Sequence, residues 1–464
     1  MMKRKLRWTA LPCLLVAFLA FVARAAQSPE TAAAPRLAAE PWPSFRGTAA
    51  AGTADGQGAV AEWDVPSGRN IRWTVPLAGF ANSSPIIWGN RVILTSAVSG
   101  AGDATFSANT ISNVRSANDM SEQTLQLMGL DTATGNVVWE RDVYKGAPRT
   151  KRHPKSSHAA GTPATDGRHI VAMYGTSGIL AGYDMSGNPL WKNDLGVIDS
   201  GYVPDPTAQW GHSSSPIIYQ NTVIAQVDQQ KNSFIAAYDL DTGKEVWKTA
   251  RDGEVSTWGT PTVFRGKTGD ELITNGTTIR SYDPKTGRLR WSLGPNSQIT
   301  IPTPIAGPDI IYVMGGYTPV RPIYAVRPGF TGDISLKAGA TSSDAIAWSN
   351  DRDGVYIPTP ILYRGLLYAV NNTGILTAYD ALTGERAFRS RVGTGSAVSA
   401  SPIAADGRLY FANEDGEVFV IRAGRTYEEI TRNAMPDPIT ATPAISDGLL
   451  VIRTIRSVYG IGSK

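Results

Sequence analysis

The stretch Ala237-Tyr-Asp-Leu-Asp-Thr-Gly-Lys-Glu-Val-Trp247 recurs with small changes along this chain of 464 residues. Closely similar stretches occupy residues 129–139, 281–291 and 378–388, and a shortened copy occupies residues 182–191. Repetition of one short phrase indicates a protein built from similar structural units, each stacked on its neighbours.

Each copy of the phrase predicts a hairpin between two strands. Alternating apolar residues lead into Asp239, whose side chain accepts hydrogen bonds from nearby backbone amides. Gly243 then adopts the left-handed conformation that closes a tight turn. The next strand carries one large aromatic ring at a fixed offset, and we expect that ring to be buried between neighbouring units. The docking residues predicted in this way are Trp73, Trp139, Trp191, Trp247, Trp291, Trp348 and Phe388, with Tyr427 as a substitute in a degenerate seventh copy.

Each unit also begins with a common mark, a small residue followed by proline and an apolar run. The marking prolines are Pro85, Pro163, Pro216, Pro261, Pro304, Pro360, Pro402 and Pro443. The last three are 42 and 41 residues apart, which matches the period of about 40–45 residues of four-stranded propeller blades. The eighth unit has three strands, and the strand Asn70–Val75 supplies its missing outer strand, which removes the open edges. We predict an all-β fold, one eight-bladed β-propeller of four-stranded blades over residues 41–464, with the ring closed by an N-terminal outer strand.

The first 25 residues are predicted to be a signal peptide. A basic start precedes the apolar run Leu11 to Val22, and Ala23-Arg24-Ala25 matches the small-x-small pattern before a cleavage site. The run is short for a membrane span, so we expect a periplasmic or secreted protein without an integral membrane span. Retention of the signal as an anchor is the alternative. Residues 26–40, largely Ala, Pro, Ser and Thr, are predicted to form a disordered leader.

Composition excludes several functional classes. Cys13 is the only cysteine and lies in the predicted signal, so the mature chain lacks disulfides, thiol nucleophiles, cysteine zinc sites and covalently attached haem. Five of the 44 basic residues and none of the 40 acidic residues lie in the signal, which leaves a mature net charge of about −1. Nucleic-acid binding driven by bulk charge is therefore excluded.

The strand order within a blade predicts which loops share a face. Loops between the second and third strands, and those between blades, lie on one face, and most long insertions fall there, at residues 98–124, 144–160, 196–212 and 315–321. Residues 330–343 form the exception, on the opposite face. Long loops gathered on one face of a rigid ring usually carry binding or catalysis.

Several residues on that face are candidate ligand contacts. The stretch 145–158 is basic, so it suits an anionic ligand, a lipid head group or an acidic partner; a solvated charged loop is the alternative. We expect His158 and His212, each shortly before a blade-opening proline, to face the channel mouth together, although two histidines do not make a metal site. The full set of ligand-face candidates is Arg152, His153, Lys155, His158, Trp210, His212 and Trp258.

Aromatic and acidic residues complete this set. An exposed indole at Trp210 or Trp258 would stack on a flat ligand, and packing against the next blade is the alternative. Acids of the same face show no spacing typical of a calcium site; they are Asp205, Asp228, Asp252, Glu254, Asp351 and Asp353. We predict no metal site and no catalytic residue. In the phrase Trp42-Pro-Ser-Phe-Arg-Gly47 we expect Trp42 and Phe45 to cover an exposed edge of the core, with a ligand site as the alternative.

The repeated phrase resembles the tryptophan-docking motif of the pyrroloquinoline-quinone-type β-propeller repeat family. Ala237, Asp239, Thr242, Gly243, Lys244 and Trp247 match that motif residue by residue. The resemblance covers nearly all of the mature chain and implies an eight-bladed propeller. The family includes quinoprotein dehydrogenases, which hold the quinone with calcium, and non-catalytic propellers such as the outer-membrane assembly lipoprotein. This chain lacks the lipidation cysteine of the latter and the vicinal cysteine pair and haem-attachment motif of many of the former.

Two functional hypotheses follow. The first is an exported, non-catalytic binding or scaffold propeller of the cell envelope, a monomer without cofactor, which engages an unknown envelope protein or small ligand on the long-loop face. Recognition of a partner's exposed strand or of an envelope polymer is a further, separate possibility. The alternative is a dehydrogenase of alcohols or sugars that depends on pyrroloquinoline quinone and calcium, with Trp210 or Trp258 stacked on the quinone and acids of the same face as calcium ligands and base.

Overall fold

The computed structural model describes residues 39–102, 106–109 and 114–463, which form eight sheets arranged in a ring. The predicted all-β, eight-bladed propeller is therefore confirmed. Within those residues, the helical segments are two 3-10 turns, Thr48–Ala50 and Gly175–Ser177. The described part of the chain contains no helix with the length and apolar character that crossing a membrane requires. The predicted signal peptide, and the predicted leader up to residue 38, lie outside the described residues.

Each blade is a meander of antiparallel strands whose first strand lines the central channel. Blades one to four comprise β2 (Ile86–Trp88), β3 (Arg91–Ser99), β4 (Gln123–Asp131) and β5 (Val137–Gly146); β6 (Ala164–Thr165), β7 (His169–Tyr174), β8 (Ile179–Asp184) and β9 (Pro189–Asp194); β10 (Ile217–Tyr219), β11 (Thr222–Val227), β12 (Phe234–Asp239) and β13 (Glu245–Ala250); and β14 (Thr262–Gly266), β15 (Gly269–Thr274), β16 (Ile279–Tyr282) and β17 (Leu289–Leu293).

Blades five to eight continue the ring. They comprise β18 (Ile305–Ala306), β19 (Ile311–Met314), β20 (Ile323–Val326) and β22 (Ile346–Asn350); β23 (Ile361–Tyr363), β24 (Leu366–Val370), β25 (Ile375–Asp380) and β26 (Arg386–Arg391); β27 (Ile403–Ala405), β28 (Arg408–Ala412), β29 (Glu417–Arg422) and β30 (Glu429–Ala434); and β31 (Ala444–Ser446), β32 (Leu449–Arg453) and β33 (Ser457–Ile461) together with β1 (Ile71–Pro76). The two-residue strand β21 (Gly332–Asp333) adds to blade four.

The ring closes through β1, as predicted. This strand pairs antiparallel with β33, so that Trp73 lies opposite Gly460 and Val75 opposite Val458. Blade eight thereby gains its fourth strand from the N-terminal side of the chain. The last blade therefore combines three strands from the C-terminal part of the chain with one from the N-terminal part, which holds the ring closed.

The repeated turn has the predicted chemistry. The Asp239 carboxylate accepts the Thr242 amide at 2.9 Å and the Thr242 hydroxyl at 2.7 Å. Gly243 has φ of 70°, and a Cβ at this position would lie 2.6 Å from Cδ2 of Trp191 in the preceding blade. Gly243 is therefore required for two reasons, the positive φ of the backbone and the close approach of the Trp191 indole.

The outer-strand tryptophans contact the turn of the next blade. Five of the six donate their indole N–H to a carbonyl oxygen of that turn, at 2.7 to 3.2 Å. The pairs are Trp73 with Thr132, Trp139 with Met185, Trp191 with Leu240, Trp247 with Pro284 and Trp348 with Ala381. Phe388, which has no donor, packs against Tyr427 with ring centroids 6.3 Å apart.

Trp291 departs from this pattern. Its indole donates to the Glu271 carboxylate of its own blade at 2.7 Å. The next blade has no Asp-x-x-Thr-Gly turn among its described residues. Its insertion 330–343 supplies β21, which pairs parallel with β17 beside Trp291. The extra strand covers the ring, which is fully buried.

A ring of side-chain hydroxyls joins the eight inner strands. Every residue before a blade-opening proline is Ser or Thr, and in seven of the eight junctions its oxygen accepts the backbone N–H of the equivalent residue in the preceding blade, at 2.9 to 3.1 Å. We call this set the hydroxyl ring; its members are Ser84, Thr162, Ser215, Thr260, Thr303, Thr359, Ser401 and Thr442. The junction without this bond is the one between Thr260 and Thr303, since the Thr303 hydroxyl has no partner.

The segment 41–58 crosses the end of the channel opposite the long loops. Trp42 bridges to Ile87 of blade one, and Thr53 bridges to Ala404 of blade seven. Trp42 is 2% exposed, and Phe45 lines the channel. Trp42 therefore covers the edge strand β2 and belongs to the core, as expected. The expectation is wrong only for Phe45, which lines the channel instead.

Candidate functional site

A cavity of about 380 Å³ opens at the channel mouth on the face that carries the long loops. We call it the mouth cavity. One wall is aromatic and aliphatic, from Trp210, Trp258, Tyr317 and Tyr356 together with three isoleucines, Ile299, Ile301 and Ile357. The other wall is polar and contains His153, Lys155, Ser156 and Ser399. The cavity is thus large enough for a small ligand and has one apolar side.

The aromatic wall is held by ring contacts and by indole hydrogen bonds. Trp210 is stacked on Tyr202 at 5.3 Å, lies 5.7 Å from Trp258, and receives the edge of His153 at 5.3 Å. Trp210 donates to the Val114 carbonyl, and Trp258 donates to the Gly211 carbonyl. Both predicted tryptophans line the mouth cavity. Trp210 is partly exposed, whereas Trp258 is 9% exposed, so the packing alternative describes Trp258.

On the polar wall, Lys155 is paired with a buried acid. Its Nζ lies 2.5 Å from Oε1 of Glu414, which is fully buried. Glu414 also accepts the Ser399 hydroxyl and the Asn109 amide, each at 2.6 Å. The Glu414 carboxylate, which two further donors hold in position, fixes Lys155 in place and offsets its positive charge.

Two other cations of the basic stretch, Arg149 and Arg152, are also paired. Arg149 forms a bidentate contact with Asp194, and Arg152 is buried with its guanidinium on the Asp119 carboxylate at 3.0 and 3.1 Å. The predicted basic surface is therefore largely neutralised. The acids that neutralise it come from other loops and blades, which a window of local sequence does not reveal.

His158 and His212 do not face the channel mouth together, contrary to the expectation; both are 2% exposed. His158 holds the Thr176 hydroxyl and the Asp119 carbonyl through its two ring nitrogens, and burial lowers its pKa. The backbone of Gln226 and Asp228 approaches the His212 ring, but neither ring nitrogen makes a well-formed hydrogen bond.

We expect the stability of the protein to fall as the pH falls from 7 to 4.5, in part through His212. Burial lowers the pKa of this residue from 6.5 to about 4, so the unfolded chain binds more protons in that window. The contribution is roughly 2–3 kcal/mol. Urea denaturation at both pH values checks it in the wild type and in His212→Gln, which keeps every other titrating group. Equal losses in the two proteins would contradict the assignment.

The acids of this face do not assemble a metal site. Asp228 accepts Arg251 at 2.6 and 3.1 Å, and Glu254 accepts Arg280 at 2.5 Å. Among the described residues, no group of three or more His, Cys, Asp or Glu side chains is placed to hold a metal ion. These residues therefore do not fit the calcium that the quinone alternative requires, and we derive no step through quinone or calcium.

Sequence reasoning missed three tyrosines and the hydroxyl ring. Tyr202 supports Trp210, and Tyr317 lies against Tyr356 with centroids 5.1 Å apart. Tyr356 stands shortly before a blade-opening proline, as Trp258 does, and this shared position was an available signal. The signal for the hydroxyl ring was that a Ser or Thr precedes each of the eight blade-opening prolines.

Together, the ring of eight blades and the aromatic-walled mouth define the class: a β-propeller repeat protein with a ligand-sized cavity on its axis. The family profile described as outer membrane protein assembly factor BamB matches residues 19–205, 176–328 and 330–459. The chain belongs to this pyrroloquinoline-quinone-type repeat family.

Two relatives show how the chain compares with characterised members. Tetrathionate hydrolase of Acidithiobacillus ferrooxidans is 21% identical over 376 residues, which cover 75% of this chain and 66% of that protein. BamB of Bordetella pertussis is 29% identical over 129 residues, 27% of this chain and 28% of that protein. The chain thus spans less than two thirds of the length of either relative.

Solved structures share the fold at low identity. A europium-containing methanol dehydrogenase is 13% identical, with 90% of both chains covered and a TM-score of 0.59. BamB from Moraxella catarrhalis is also 13% identical, with 80% of this chain and all of that chain covered and a TM-score of 0.51. Enzymes and assembly factors are therefore equally compatible with the fold.

Proposed function

We propose that this protein is a non-catalytic binding or scaffold propeller of the cell envelope, exported by the signal at residues 1–25. Its mouth cavity takes an apolar, flat group of a ligand or of a partner protein. The observation that carries the proposal is the wall formed by Trp210, Trp258, Tyr317 and Tyr356 beside three isoleucines. Rings held in place by their neighbours offer contact area at a low cost in side-chain entropy.

The charges around the cavity support an apolar ligand. Lys155 is already paired with Glu414, and Arg152 with Asp119. Displacing either pair would leave a buried charge without a partner, which costs several kcal/mol. A ligand whose main contact is apolar leaves both pairs intact.

Site-specific crosslinking in the native host tests the proposal. A photoreactive residue at Tyr317, in the mouth cavity, is expected to give a defined crosslinked product. The matched control is Leu382, which is 73% exposed in the turn between β25 and β26, on the opposite face. The product should disappear when Ile357→Asp places a charge in the apolar wall. Equal products from both positions, or a product indifferent to Ile357→Asp, would contradict a mouth-specific ligand.

The alternative is the quinone- and calcium-dependent dehydrogenase. The methanol dehydrogenase shares its fold with this protein over 90% of both chains, and Trp210 or Trp258 would be the stacking residue. Titration of the purified protein with the quinone and calcium, followed by an alcohol or aldose assay with an artificial electron acceptor, separates the two. Saturable binding with turnover would overturn the scaffold proposal.

A further inference from the structure

A second cavity, of about 180 Å³, lies directly below the mouth cavity inside the channel. We call it the channel cavity. Phe45 lines it on the side of segment 41–58, and all eight members of the hydroxyl ring line it as well. The two cavities share Lys155, Ser399 and Trp258 among their lining residues, so they adjoin.

The hydroxyl ring presents donors to this cavity. Seven of its oxygens accept a backbone N–H from the neighbouring blade. In the described part of the chain, none of the eight hydroxyls donates to a protein acceptor. A hydroxyl has one proton to donate, and an oxygen engaged by an amide directs that proton elsewhere. Eight hydroxyls whose donor capacity is unused among the described residues therefore line one small volume.

Thr303 differs from the other members of the hydroxyl ring, because its oxygen accepts no backbone N–H. It is 2% exposed and lines the channel cavity, yet its hydroxyl has no hydrogen-bond partner at all. Buried polar atoms normally have a partner, and leaving one without costs about 1–3 kcal/mol. The atom is thus free to serve a bound group.

Two buried guanidinium groups stand beside the ring without an acid. Nη1 of Arg46 donates to the carbonyls of Thr359 and Pro360 at 2.7 and 2.8 Å, and its Nε has no partner. Nη1 of Arg453 donates to the Ser83 hydroxyl at 3.0 Å, next to ring member Ser84, and its Nε and Nη2 have no partner. Neither has a carboxylate within ion-pair distance among the described residues. Burial lowers the pKa of each to about 9.

The lining adds no negative charge. Among the described residues that line the channel cavity, none is Asp or Glu, and the one charged side chain is Lys155, whose charge Glu414 offsets. A buried positive charge is costly unless an opposite charge lies near it. Neither Arg46 nor Arg453 lines the channel cavity, but each contacts a member of the hydroxyl ring or the residue next to one. Their uncompensated charges and the eight hydroxyls favour an anion inside the ring.

We infer that the channel cavity binds a small inorganic anion, a halide or an oxoanion, held by the hydroxyl ring with the Thr303 hydroxyl as a direct donor. This site lies below the mouth cavity and does not depend on the function proposed for it. The same chemistry can come from the anionic end of a larger ligand seated in the mouth, and the experiment separates these two sources.

The test uses the purified protein in sodium gluconate at constant ionic strength. Sodium bromide and sodium sulfate are titrated in separate experiments while the Tm is measured, and crystals soaked in bromide are examined by anomalous scattering. We expect a saturable rise in Tm, as mass action requires for a ligand that binds the folded state, and a bromide peak inside the hydroxyl ring.

The matched variants are Thr303→Val and Thr300→Val. Both hydroxyls are buried and without a partner, but Thr300 does not line either cavity. Thr303→Val should weaken anion affinity by roughly tenfold, because a hydrogen bond to a charged group is lost, and Thr300→Val should leave it unchanged. A Tm that rises without saturation, equal behaviour of the two variants, or a ring without bromide would overturn the inference.

A third titration with sodium benzenesulfonate identifies the source. Tighter binding than sulfate, lost in Tyr317→Ala, would assign the anion to a ligand that also fills the mouth cavity. Binding no tighter than that of sulfate would assign a free inorganic ion. Failure of the mouth crosslinks leaves the bromide and sulfate results untouched, so the two proposals stand or fall separately.

Discussion

Asp228→Ala is expected to lower the free energy of unfolding by about 3–5 kcal/mol, because it leaves the buried Arg251 guanidinium short of its main counter-charge. Arg251 and Asp228 both have fully buried side chains, and two nitrogens of the guanidinium contact the carboxylate. Burial alone lowers the pKa of Arg251, and Asp228 is the largest influence that raises it. Urea denaturation of the variant measures the loss.

Two further variants distinguish charge imbalance from general damage. Asp252 follows Arg251 in the chain and has an exposed side chain, so Asp252→Ala should change stability by no more than about 0.5 kcal/mol. In the double variant Asp228→Ala with Arg251→Met, most of the lost stability should return, since no unpaired charge remains. A double variant as unstable as the sum of its parts would show that packing, not charge, dominates.

Trp247→Ala is expected to cost about 3–5 kcal/mol, the range for deletion of a large buried ring. Trp247 is 9% exposed, donates to the Pro284 carbonyl of the next blade, and has Gly287 of that blade against its ring. Loss of the ring opens a cavity between blades three and four. Thermal and urea unfolding measure the effect.

Val246→Ala is the control on the same strand, because its side chain is 51% exposed and faces away from the core. It should shift the unfolding free energy by no more than about 0.5 kcal/mol. Anion affinity in folded Trp247→Ala should stay near that of the wild type, because the indole lies on β13, which is the fourth and outermost strand of its blade counted from the channel. Weaker anion binding at unchanged stability would contradict a purely structural role.

The repeat made the fold predictable. Asp239, Thr242 and Gly243 settle their turn through contacts among themselves, and the same local solution recurs in other blades. Local turn chemistry and a period near 42 residues therefore sufficed to count the blades and to place β1 as the closing strand. The different contact of the Trp291 indole was not predicted, because it depends on the insertion 330–343, which lies far along the chain from Trp291.

The candidate site was predictable only in outline. The sequence placed Trp210 and Trp258 near the channel mouth, because position before a blade-opening proline is a local property. It did not show that Lys155 meets Glu414, since these residues are brought together only when the ring closes. The same holds for His212, whose burial depends on the backbone of the neighbouring blade.

The amino-acid sequence alone determined the blade count, the turns, the docking aromatics and the face that carries the long loops, because these features depend on short-range interactions. Three-dimensional packing was needed for the charge balance of the mouth cavity and for the hydroxyl ring, because both join residues from many blades. The uncompensated charges that favour an anion inside the channel are those of Arg46 and Arg453, which are 407 positions apart in the sequence. Electrostatic interactions depend on the distance between charges and on their burial, and local sequence determines neither the distance nor the burial.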